Sequence, residues 1–131
     1  GAYPIESAEA NSFIFFADIN SDGLKERVRY FLSGNILKKG VIIPTGNPLV
    51  YQSSSEVVTN IIGNVVNGST PIFSYYDTNY TGSSNALVSP FNIVNVRLIK
   101  ITILSDADTS RPPGPVTITT QVSMRNLKDN L

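Results

Sequence analysis

Apolar residues in this chain fall into short blocks, most of them alternating with polar ones and separated by turn-forming residues. Residues 12–17 hold the compact run Phe13-Ile14-Phe15-Phe16, a buried strand that stops at Asp18-Ile19-Asn20-Ser21-Asp22-Gly23. Residues 26–32 then alternate, with Val28, Tyr30 and Leu32 on one side and Arg27 and Arg29 on the other, as in a half-buried strand. Ser33-Gly34-Asn35 supplies a tight turn and residues 36–43 a third strand, so the first half of the chain predicts an antiparallel β-meander.

The later blocks extend the β pattern. Residues 56–66 fit either a strand or one face of a helix; Gly63 and the abundance of Val and Ile favour the strand. Ile72-Phe73-Ser74-Tyr75-Tyr76 reads as a short strand closed by a turn-rich loop. Residues 94–104 form the longest strand candidate. There Val94, Val96 and Leu98 occupy even positions and Ile99, Ile101 and Ile103 odd ones, which predicts a β-bulge near Leu98-Ile99 or a strand buried on both faces. Residues 106–115, rich in Asp, Ser, Pro and Gly, form a projecting loop. The last strand places Val116, Ile118, Val122 and Met124 on one side and Thr117, Thr119, Gln121, Ser123 and Arg125 on the other, the signature of a sheet with one dry face. Residues 5–11 contain fair helix formers but too few for an independent helix, and read as the tail of a longer helix or as a linker. The fold class is therefore mainly β, in one domain spanning residues 1–131.

Composition narrows the chemistry. The chain has no Cys, which excludes disulfides and thiolate sites, and no His, which removes the usual general base and the commonest transition-metal ligand. Ten basic residues balance ten acidic ones and are scattered, so no footprint for nucleic acid is present. No run of about 18 apolar residues occurs. The Ser53-Ser54-Ser55 patch has no histidine base, Asp106 and Asp108 read as solubilising loop residues, and the reading is of a protein that is not an enzyme.

One constellation offers ligands. In Asp18-Ile19-Asn20-Ser21-Asp22-Gly23-Leu24-Lys25-Glu26, oxygen donors recur at alternate positions: the side chains of Asp18, Asn20, Asp22 and Glu26 and the carbonyl of Leu24. A hard ion such as Ca²⁺ takes six to eight such oxygens, and Gly23 permits the sharp bend a wrapping loop requires. The full EF-hand pattern fails, because Arg29 stands twelfth where a bidentate Glu belongs. The competing account is a solvated hairpin loop in which Asp and Asn cap their own backbone and Gly23 takes positive φ. The sequons at Asn67-Gly68-Ser69 and Asn79-Tyr80-Thr81 are read as chance occurrences, and the Tyr75-Tyr76 and Tyr80 cluster as packing rather than a sugar platform.

Three fragments carry a resemblance: Phe16-Ala17-Asp18-Ile19-Asn20-Ser21-Asp22-Gly23 with Glu26-Arg27-Val28-Arg29-Tyr30, then Phe73-Ser74-Tyr75-Tyr76-Asp77, and Val122-Ser123-Met124-Arg125-Asn126-Leu127. With the order of the elements, they resemble the minor pilins and pseudopilins of type IV pilus and type II secretion systems. The likeness implies a β-meander head domain whose N-terminal transmembrane helix, about 20 to 25 residues long, is missing from this sequence. It further implies a structural subunit anchored in the membrane through that helix before assembly, then displayed at the cell surface among other pilin or pseudopilin subunits. The isolated head is expected to be monomeric. A secreted adhesive or glycan-binding β-sandwich module is the alternative.

Overall fold

The computed structural model describes residues 4–123, which form eight strands in two antiparallel sheets. The first sheet is a five-stranded meander in chain order: β1 (Ile5–Ala8), β2 (Ser12–Ala17), β3 (Glu26–Ser33), β4 (Ile36–Ile42) and β5 (Val57–Ile62). The second contains β6 (Phe73–Tyr76), β7 (Leu98–Ser105) and β8 (Val116–Ser123), again in chain order. Among the described residues the only helical pieces are two short 3-10 turns, Ser53–Ser55 and Ile93–Asn95, so no helix is long and apolar enough to cross a membrane. The mainly-β reading holds, but the chain builds two packed sheets rather than one meander.

Alternation decides which side chains meet. On the meander, Phe13 stands opposite Tyr30 and Phe15 opposite Val28, so the apolar rows of β2 and β3 share one face. On the smaller sheet, Phe73 and Tyr75 pair with Ile101 and Ile99. These faces pack together into one core, with the Phe13 ring 5.8 Å from Phe73 and 5.9 Å from Tyr75. The β3–β4 hairpin turns at Gly34, whose φ of 60° has the sign that a two-residue hairpin turn demands.

The opposite face of the meander is clamped by charge. Arg29 makes two hydrogen bonds to the Glu56 carboxylate, at 3.0 and 2.7 Å, and lies over the Phe31 ring. Gly40, opposite Arg29 in the register, is what lets Glu56 reach across, because a Cβ there would collide with its carboxylate. Arg27 is held in the same two-pronged way by Glu6 of β1.

Three expectations are corrected. Residues 5–8 are not helical: Ile5 pairs with Phe15 and Ala8 with Phe13, and burying Ile5 on the core outweighs the weak helix propensity of so short a segment. No bulge occurs at Leu98-Ile99, since β7 pairs without interruption with both neighbours. The change of phase comes instead from the 3-10 turn at Ile93–Asn95, capped by the Asn92 side chain accepting from the Val94 N–H. The third concerns β8. Its register puts Val116, Ile118 and Val122 on the face of Ile99 and Ile103, yet Val116 and Ile118 remain 61% and 45% exposed, so this face is dry only in part. Residues 56–66 resolve as a strand over Val57–Ile62, with Val65 bridging Ser105. Met124 and the end of the third resemblance fragment, residues 124–127, lie outside the described residues.

Candidate metal site in the loop between β2 and β3

The meander brings the end of β2 and the start of β3 side by side, with Ala17 opposite Glu26, and the loop 18–25 bridges them. Asp18, Asn20 and Asp22 turn their oxygens toward the loop's own amides. The Asp22 N–H donates to Asp18 Oδ1 and Asn20 Oδ1, each at 3.2 Å, and the Gly23 N–H to Asp18 Oδ2 at 2.8 Å. The Leu24 N–H donates to Asp22 Oδ1 at 2.9 Å. Ser21 and Gly23 take left-handed φ of 62° and 86°, which folds the chain tightly enough for these contacts; the positive φ expected at Gly23 is present.

Glu26 behaves differently. It is 1% exposed, in phase with Val28 on the core-facing side of β3. Its Oε1 accepts the Ile19 N–H at 3.1 Å, whereas Oε2 has no partner, the one buried side-chain polar atom among the described residues in that condition. One carboxylate oxygen from each of Asp18, Asp22 and Glu26 lies within 4.8 Å of the others. Burial pushes the Glu26 carboxyl above the usual carboxylate range, and Asp22 and Asp18 add to the push, against the backbone amides of Ile19 and Asn20. Of those two amides, only Ile19 makes a hydrogen bond of good geometry.

Of the five residues singled out by spacing, the structure thus gathers three carboxylates: Asp18, Asp22 and Glu26. Asn20 lies in the same loop with its oxygen on the Asp22 amide, and Leu24 is exposed with its N–H taken up by Asp22. Sequence reasoning missed Tyr51, whose hydroxyl donates to the Lys25 carbonyl at 2.6 Å while its ring packs edge-on against Phe16. Burial and the neighbouring Glu26 raise the Tyr51 hydroxyl's pKa above the ordinary value. No signal in the sequence joins residues 25 and 51. The burial of Glu26 did have one: it shares the parity of Val28, Tyr30 and Leu32.

Other candidates disperse. Tyr75 is buried and its hydroxyl donates to the Glu9 carbonyl at 2.8 Å, while Tyr76 is buried against Tyr80, so these rings form packing rather than an open platform. Asp106 and Asp108 sit on an exposed loop and bind their own backbone. Comparisons with protein-family models, with curated proteins and with solved structures return no match for the chain.

Proposed function

We propose that this domain is a non-catalytic structural head, a minor pilin or pseudopilin subunit of a type IV pilus or type II secretion-like filament. The observation that supports this most is the apolar surface left on the edge strands. Val116 and Ile118 on β8 continue the core-facing row of Ile103 without cover, and Val57, Val58 and Ile61 stand exposed on β5. Exposed apolar rows on a small domain mark surfaces that a partner or another segment covers. In this reading they receive an N-terminal helix or neighbouring subunits, and assembly places the head at the cell surface. The residue inventory agrees, since neither histidine nor cysteine is available for acid–base or nucleophilic chemistry near neutral pH.

Two observations test the proposal together. The gene upstream of Ile5 should encode a short basic leader and about 20 apolar residues. The full-length product should then appear in the sheared filament fraction, and Ile118→Asp should remove it from that fraction while leaving the circular dichroism spectrum of the head unchanged. A cleaved secretion signal followed by this domain alone, with the product free in the medium, would overturn the filament reading.

A further inference from the structure

Independently of the filament reading, we infer that the loop between β2 and β3 is a Ca²⁺ site whose ligands are the carboxylates of Asp18, Asp22 and Glu26. A group of acids alone would not carry this, because exposed acids at a turn are common. Glu26 does carry it. A carboxylate 1% exposed, with one oxygen bound by Ile19 and the other without any partner, is in an arrangement that an isolated fold disfavours. Among the described residues Glu26 makes no ion pair with Lys or Arg; the charged groups gathered with its carboxylate are Asp18 and Asp22, of the same sign. A cation between the three resolves both problems at once.

Geometry and donor type then select the ion. Oxygens bound to one Ca²⁺ at about 2.3–2.6 Å lie up to roughly 5 Å apart, and the three carboxylates already satisfy this, with all separations within 4.8 Å. The donors are all hard oxygens, which favours Ca²⁺ or Mg²⁺ over softer transition ions. An irregular loop with Asp22 exposed on its outer side suits the flexible coordination of Ca²⁺ better than the rigid octahedron of Mg²⁺. Three protein carboxylates leave the remaining positions to water, which suggests affinity in the range of about 10⁻⁵ to 10⁻³ M. Tyr51, tied to the Lys25 carbonyl, fastens this loop to the segment leading into β5, so the ion would steady that connection as well.

Calorimetric titration of the whole chain with CaCl₂, paired with thermal melts in CaCl₂ and in chelator, tests the inference. The expected result is one binding event per chain and a rise in Tm of roughly 5 to 10 °C at a hundredfold excess over Kd, with MgCl₂ giving a smaller rise. Glu26→Gln keeps the shape and the oxygen facing Ile19 but removes the charge, and should weaken Ca²⁺ binding on the order of 100-fold. Asp22→Asn, exposed and without risk to the core, should weaken it about tenfold. An absence of heat and an unchanged Tm at millimolar Ca²⁺ would overturn the inference, as would binding that both variants retain in full.

Discussion

Among the described residues, two polar side chains are buried, and they are in opposite conditions. Asn67 spends every polar atom: Nδ2 donates to the carbonyls of Thr70 and Thr102 at 3.1 and 2.8 Å, and Oδ1 accepts the Leu104 N–H at 2.8 Å. Its amide stands in for a peptide group along the edge of β7, where residues 64–72 continue the ladder that β6 begins. Glu26 has one oxygen bound and the other orphaned. Burial of a polar group therefore has two meanings in this molecule. Where all valences close within the chain, the group is structural; where one stays open beside like charge, it awaits something from outside. The same contrast disposes of the sequon at Asn67, whose amide nitrogen is buried and engaged in the fold.

The largest effect is expected at Asn67. Asn67→Ala would orphan two carbonyls and one amide, and is expected to destabilise the fold by about 3 kcal/mol, equally in Ca²⁺ and in chelator, by urea denaturation. A Ca²⁺-dependent loss there would blur the distinction between the two sites. A smaller effect, about 1 kcal/mol, is expected for Tyr51→Phe, which removes the hydrogen bond to Lys25, and it should be larger in Ca²⁺ than in chelator.

The two residues should also differ in their response to pH. Because Glu26 titrates above its ordinary value of 4.5 in the folded chain, the native state holds its proton more tightly than the unfolded state does. Without Ca²⁺, the stability that protonated Glu26 contributes is present below the ordinary value and is lost as pH rises through the raised folded pKa. The wild type minus Glu26→Gln difference should fall across that window, whereas Asn67 variants should show no such trend. The smallest effect belongs to Asp108→Asn. Asp108 is held below the usual range by hydrogen bonds from Ser110, but on an exposed loop. Its replacement should leave the urea midpoint unchanged within error and Ca²⁺ binding untouched.

Much of this was legible in the alternation. The meander from β2 to β4, the turn at Gly34, the strand beginning at Val57 and the facing rows of β8 all follow from period-two patterning with turn residues between. Three features were not. The pairing of β1 depends on Phe13 and Phe15 lying opposite it, a long-range contact that overrides local propensity. The division into two sheets depends on where β6 and β7 run relative to the meander, which no local pattern encodes. The break at residues 93–95 mimics a bulge in a one-dimensional pattern, since either device shifts the phase. As for the site, the spacing of oxygens from Asp18 to Glu26 marked the right loop. The burial that separates Glu26 from the rest was written in its parity with Val28, and the pairing that buries it became visible only with the register of β2 and β3.

Whether Glu26 holds an open valence for a cation is read from the order of thermal stability of wild type and Glu26→Gln with and without Ca²⁺. The two orders should cross. In chelator at neutral pH the Gln variant melts above the wild type, because it removes a buried, unpaired charge. In Ca²⁺ at a hundredfold excess over Kd the wild type melts above the variant by roughly 5 °C. The same order in both conditions, with Ca²⁺ moving neither protein, would contradict an open valence at Glu26.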